Sequence, residues 1–193
     1  MVNAVVLLNI ENAKSRLSPF FDLDQRRNMV LIMFSRVLNA LEDFPVTVLP
    51  RTHKAAIDGV RDSDDINNGI MDIRRKLNDD LLVLPCDLPL LTTSDVLKLM
   101  GNSMTLSTAP SQDGGTSGLF IPREVEFTPR FGKNSFALHT GEAEEMGIPL
   151  RVYRSDSFRD LDTMEDLRWL LKTIGRNELA DYIRSLDLEL PLD

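Results

Sequence analysis

A chain of 193 residues with 42% hydrophobic and 27% charged residues has the size and composition of one globular domain, able to bury about 70% of the surface that its unfolded form exposes. A net charge of -8 argues against general affinity for nucleic acid or anionic membrane, both polyanions that reward clustered Lys and Arg, and no apolar stretch approaches the roughly 18 residues of a membrane span. One cysteine, Cys86, with His53 and His139, excludes an internal disulfide and a zinc cluster of ordinary Cys/His spacing; together with a start that lacks a basic leader, this predicts a cytoplasmic protein.

The β-branched run at residues 2–8 predicts a strand buried on both faces, followed by a polar loop over residues 9–19. Asp22 or Asp24 is placed to cap a long helix reaching about residue 42, on which Met29, Ile32, Met33, Val37 and Leu41 recur at helical spacing. Short strands follow at 46–49 and 81–84, with a helix over 68–77 between them. Thr92 or Thr93 then caps a helix. Residues 104–108 and 117–121 predict two strands flanking the turn-forming DGG, which makes this part antiparallel. A helix over 135–146, a strand over 150–153, a helix capped by Thr163 and a last helix over 178–185 complete the chain. No repeat, linker or low-complexity tract interrupts it. Alternating strands and helices predict a single α/β domain over residues 1–193, Rossmann-like, with a mixed, mostly parallel sheet covered by helices on both faces; ligands of such sheets bind beyond the carboxyl ends of the strands.

Four segments follow strands in this reading. Lys14 and Arg16 stand in the loop after the first strand, either as phosphate-binding cations or as two solvated charges. Neither GxxxxGK[ST] nor GxGxxG occurs in the sequence, so phosphate binding here would rely on side-chain cations rather than a glycine nest. Asp87 follows the apolar run LLVLP, where a carboxylate suits Mg²⁺ held against phosphate oxygens, or simply a turn; Cys86 beside it reads as a small buried residue. Asp160 and Asp162, two residues apart in an extended segment where side chains alternate, project to one side and suit one metal; helix capping is the competing reading, and Thr163 is available for that task. Gly114, Gly115 and Thr116, with Gly132, Lys133 and Ser135, form a set of amides, hydroxyls and a cation that suits a small phosphate or carboxylate, or two ordinary glycine loops. His139 falls in a helix and reads as a surface or capping residue.

In this order and spacing, AKSRLSP, PCDLPLLT, DGGTSGLF, FGKNSF and LDTMEDL resemble the motifs of the 2-phospho-L-lactate guanylyltransferase family, whose close relatives use phosphoenolpyruvate. The resemblance covers residues 2–171. It implies a nucleotidyltransferase fold and transfer of GMP from GTP to the phosphate of the acceptor, with release of diphosphate, in assembly of the deazaflavin coenzyme F420. Carried over residue by residue, it implies Lys14 and Arg16 on the GTP phosphates, and Asp87, Asp160 and Asp162 on Mg²⁺, with Lys14, Arg16 and Asp87 as the catalytic set. It also implies Thr116, Gly132 and Ser135 on the phosphorylated acid, and Asn67 near the nucleotide. A homodimer is one assembly the sequence allows. Two departures stand out. The family's Pro-Phe-Lys-like run at the end of strand one is Leu7, Leu8, Asn9 and Ile10 here, one cation fewer, and residues 51–67 are shortened. Transfer to another acceptor or from another nucleotide, and nucleotide binding by a catalytically impaired relative, are the alternative readings.

Overall fold

The computed structural model describes residues 1–11, 13–50, 62–102, 104–174 and 177–190. Its centre is a six-stranded sheet built from β1 (Val2–Leu8), β2 (Val46–Pro50), β3 (Asp80–Pro85), β4 (Leu106–Pro110), β5 (Thr116–Ile121) and β6 (Leu150–Val152), in the order β2-β1-β3-β5-β4-β6. β1 runs parallel to both β2 and β3, and β6 runs parallel to β4. Only β5 is reversed, antiparallel to β3 and to β4. The carboxyl ends of five strands and the amino end of β5 therefore share one edge of the sheet, and the loops leaving that edge converge.

Among the described residues six α-helices cover the faces: α1 (Leu23–Ala40), α2 (Asp62–Leu77), α3 (Thr93–Met100), α4 (Ser135–Glu145), α5 (Met164–Thr173) and α6 (Glu178–Ser185). Alternation along the strands supplies two cores. Ala4, Val6, Leu82, Leu84 and Phe120 pack with Met29, Met33 and Val37 of α1 and with apolar residues of α3, α5 and α6. Val5, Leu81, Val83, Leu119 and Ile121 pack on the other face with Ile70 of α2, Ala143 of α4 and Phe127. Full burial of each such aliphatic side chain is worth roughly 1.5–3 kcal/mol relative to exposure, so the sheet is the rigid part from which the loops project.

The helix starts follow the capping residues. Asp22 accepts from the Gln25 N–H in a reciprocal capping box, Thr92 accepts from Asp95, and Thr163 forms a second box with Asp166. Two expected boundaries move. The helix predicted from residue 68 spans Asp62–Leu77. The strand expected at 104–108 begins at Leu106, because the Met104 N–H bonds the Asn102 side chain and the Thr105 N–H its carbonyl, using both residues in a turn. His53 and most of the shortened stretch, residues 51–61, lie outside the described residues.

Candidate functional site

The shared edge opens into a cavity of about 510 Å³ lined by Asn9, Lys14, Arg16, Cys86, Asp87, Ser111, Asp113, Gly115, Thr116, Gly132, Lys133, Ser135, Asp160 and Asp162, among others. Each arrives for a local reason. Asn9 and Lys14 leave β1, and Lys14 adopts a left-handed conformation (φ 47°, ψ 50°) at the start of a 3₁₀ turn, Ser15–Leu17, a strain of about 1–2 kcal/mol for a residue with a β-carbon. The Arg26 guanidinium donates to the Ala13 carbonyl at 2.7 Å and fastens this loop to α1. Asp87 follows β3, and its carbonyl accepts from the Leu161 N–H at 3.3 Å, joining the β3 loop to the segment before α5. Asp166 accepts from the Asp162 and Thr163 N–H groups, so the chain before α5 is held by its backbone and the carboxylates of Asp160 and Asp162 are left to the cavity.

The charged residues form one cluster. Lys14 Nζ donates to Asp87 Oδ2 at 2.5 Å and to Asp162 Oδ1 at 2.6 Å, with only 5% of its side chain exposed. Burial alone would lower its pKa, but the charges and hydrogen bonds of Asp87 and Asp162 more than reverse this and hold it above the ordinary lysine value. Lys14 is thus a fixed positive charge. Arg16 differs: its side chain is 61% exposed and its guanidinium lies 3.8 Å from Asp162, a loosely held cation. Asp160 is pushed up to about 7 by burial and by the neighbouring charges of Asp87 and Asp162. The remaining oxygen of Asp87, Oδ1, is buried without a hydrogen-bond partner, as is Asn9 Oδ1. A buried unpaired carboxylate oxygen is costly in isolation and fits a cation. Among the described residues no three His, Cys, Asp or Glu side chains already form a metal-binding group; Mg²⁺ usually takes one or two carboxylates, with water and substrate phosphates completing its octahedron, so this donor set fits it. Burial, then the Asp87 charge, pushes the Cys86 thiol up to about 12, which leaves it unreactive.

A second cluster is neutral. Thr116 opens β5 and Ser135 opens α4, and their hydroxyl oxygens lie 3.1 Å apart. His139, one turn after Ser135, lies with Nδ1 3.0 Å from Thr116 Oγ1. Glycines shape the loops that bring these elements together. A β-carbon on Gly115 would meet Ser111 Oγ at 2.7 Å, and Gly132 has φ 146°, where side chains are disfavoured. The Ser135 N–H bonds the Gly132 carbonyl and the Phe136 N–H that of Gly114, so the hydroxyls, rather than these first helical amides, are left to the cavity. Between the clusters, the Ser111 hydroxyl at 2.6 Å, with smaller help from the Gly115 N–H and Arg16, outweighs burial and lowers the Asp113 pKa.

Lys14, Arg16, Asp87, Thr116, Gly132, Ser135, Asp160 and Asp162, picked from the sequence, all line this one cavity. Asn67 takes another place: its amide donates to the Phe131 carbonyl at 3.0 Å and accepts from the Phe131 N–H at 2.7 Å, docking α2 on the loop that carries Gly132, while its neighbour Ile66 lines the cavity. His139 corrects the sequence reading. It is no surface residue but is fully buried, because the rings of Phe127 and Phe131 pack on it. The recurrence of Ser135 and His139 at i and i+4 was the one sequence signal that they share a helix face.

Residues 2–192 match the model of a family described as guanylyl transferase CofC like. A phosphoenolpyruvate guanylyltransferase of Roseiflexus castenholzii is 32% identical over 185 residues, covering 89% of this chain and 88% of that protein. A 2-phospho-L-lactate guanylyltransferase of Methanopyrus kandleri is 32% identical over 179 residues, with 90% and 92% covered, and one of Methanosphaera stadtmanae is 25% identical over 209 residues, with 97% and 91% covered. In fold, the chain is similar to a protein described as a nucleotide-diphospho-sugar transferase from Desulfovibrio desulfuricans G20, with a TM-score of 0.81 at 12% identity and 96% and 95% of the two chains covered. A cytidylyltransferase from Leptospira borgpetersenii is similar with a TM-score of 0.55 at 14% identity, covering 96% and 93%.

Proposed function

The chain belongs to the CofC-like guanylyl transferase family, and from that membership we propose that it transfers GMP from GTP to the phosphate of 2-phospho-L-lactate or phosphoenolpyruvate, releasing diphosphate, as a step toward coenzyme F420. The observation that carries this reading is the joining of two chemically different clusters in one cavity. One is an acidic and cationic group, Asp87, Asp160, Asp162, Lys14 and Arg16; the other is a neutral pair of hydroxyls, Thr116 and Ser135. Two anionic substrates need such a division.

In the reaction, a phosphate oxygen of the acceptor forms a bond to the α-phosphorus of GTP as the bond to diphosphate breaks in line. Lys14 stays protonated and fixed, and Arg16 is free to swing onto phosphate oxygens, so the two cations offset the repulsion between the reacting anions. Thr116 and Ser135 hold the acceptor by neutral donors at the mouth of α4. Asp87, Asp160 and Asp162 are the residues that would hold Mg²⁺, which when bound neutralises charge building on the phosphates. Asn67 holds the backbone of Phe131 and so fixes the loop that carries Gly132. The lone thiol, buried and unreactive, suits a cytoplasmic enzyme, and no helix of the described residues is long and apolar enough to cross a membrane.

The test is diphosphate release by purified protein with GTP and Mg²⁺, run with 2-phospholactate, phosphoenolpyruvate and no acceptor in parallel. Acceptor-dependent release supports the reading and selects the substrate. Binding of GTP without release under any acceptor would instead favour a nucleotide-binding relative that lost its chemistry with the cation absent from the run Leu7, Leu8, Asn9 and Ile10.

A further inference from the structure

We infer that His139 is a positioning residue for the acceptor, its Nδ1–H orienting the Thr116–Ser135 hydroxyl pair so that the pair offers one O–H to an anionic oxygen in the cavity. The inference rests on the reading of these hydroxyls as the acceptor subsite.

His139 Nε2 accepts from the Arg130 backbone N–H at 2.8 Å, so that nitrogen carries no hydrogen. A neutral ring must then carry its proton on Nδ1, which faces Thr116 Oγ1 at 3.0 Å. Burial first, and the positive charge of Arg130 second, keep the ring neutral, lowering its pKa to about 4. With Nδ1–H donating to Thr116, the two hydroxyls, 3.1 Å apart, can satisfy each other with one of their two hydrogens. Either Thr116 donates to Ser135 and Ser135 donates outward, or Ser135 donates to Thr116 and Thr116 donates outward. One O–H is left in both cases, and both residues line the cavity.

The opposite tautomer gives the opposite result. A bare Nδ1 would take the Thr116 proton, Ser135 would donate to Thr116, and the pair would end as acceptors, which repel a phosphate or carboxylate. It would also set an Nε2–H against the Arg130 N–H. The Arg130 amide, 14 residues from Thr116 in sequence, thereby determines which way the hydroxyls point. Arg130 is itself anchored by its side-chain ion pair with Glu142 of α4 at 2.8 Å, and the Phe127 and Phe131 rings, 5.9 and 5.1 Å from the imidazole centroid, leave it little freedom to rotate.

Two measurements test this. The first is the ¹⁵N imidazole spectrum of the wild-type protein at neutral pH, with the His139 signal assigned by its loss in His139→Asn. A neutral Nδ1–H tautomer is expected, and an Nε2–H tautomer would overturn the inference whether or not turnover is seen. The second is the pair of KM values in His139→Leu and His139→Asn, since the Asn amide places an N–H near the position of Nδ1–H. In the Leu variant the acceptor KM should rise at least about tenfold, the size of a lost hydrogen bond to a charged group, with the GTP KM changed less than about twofold; Asn should recover most of the loss. An equal rise of both KM values, or no recovery by a folded Asn variant, would reduce His139 to packing. Failure of the wild type to use either acceptor would instead count against the underlying function, which the tautomer spectrum does not depend on.

Discussion

The two clusters of the cavity solve opposite electrostatic problems. Around Lys14, charges are matched against each other at 2.5–2.6 Å; around His139, the hydrogen-bonding side chains of Thr116, Ser135 and His139 are neutral, and Ser135 and His139 are 2% and 0% exposed. The first cluster is a set of ions awaiting other ions, with an unpaired Asp87 oxygen and a pKa of about 7 at Asp160 recording the crowding. The second is a finished hydrogen-bond chain set into the core between β5 and α4. On the proposed function, exchangeable charge would serve a polyanion with its metal and fixed dipoles a small anion.

Substitutions should affect the two clusters differently. Asp87→Asn should have the largest effect, lowering turnover at least about tenfold, as expected when a metal-holding carboxylate is lost, while circular dichroism and the thermal midpoint show a folded protein. A folded variant with full diphosphate release would remove Asp87 from the catalytic set. Acid should act on both clusters, because Asp160 takes up its proton near pH 7, so the part due to the other cluster is read as a difference between variants. The folded pKa of His139, about 4, is below its ordinary value of 6.5, so its contribution to stability is complete above pH 6.5 and is lost as pH falls through 4, a difference of about 3 kcal/mol. Urea unfolding of wild type and His139→Leu across that window should show the stability difference between them shrinking as pH falls, whatever slope Asp160 gives to both; parallel curves would contradict the buried neutral ring.

Smaller effects sharpen the contrast further. Thr163→Ala removes a cap worth about 1 kcal/mol and loosens the segment that presents Asp162, so stability and turnover should fall together, turnover by about two- to fivefold given the local nature of the change. Asp22→Ala removes an equivalent cap from α1, on an element that presents no cavity carboxylate, and should cost about 1 kcal/mol with turnover unchanged. If both cap variants slow the enzyme alike, the presentation of Asp162 is not what Thr163 provides.

Much of this organisation was legible in the sequence because it is local. The apolar runs of β1 and β3, the caps at Asp22, Thr92 and Thr163, and the DGG turn before the reversed strand each carry their own signal within a few residues. Once the strands were known to be mostly parallel, the loops after them had to meet at one edge, which is why residues as distant as Lys14 and Asp162 were picked for one place. Contacts that depend on how faces dock were not legible. The pairing of Lys14 with carboxylates 73 and 148 residues away, the docking of Asn67 on Phe131, and the burial of His139 beneath two phenylalanines follow from helix placement on the sheet, and a polar residue in a helix gives no warning that its partners lie on a strand.

The division of labour is tested most directly by calorimetric binding of GTP with Mg²⁺, and of the acceptor that the activity assay selects, to wild type, Asp87→Asn and Thr116→Val. Thr116→Val should weaken acceptor binding at least about tenfold and leave GTP within about twofold, and Asp87→Asn should weaken Mg²⁺-dependent GTP binding while sparing the acceptor. Two folded variants that weaken the same ligand to the same extent would contradict the account.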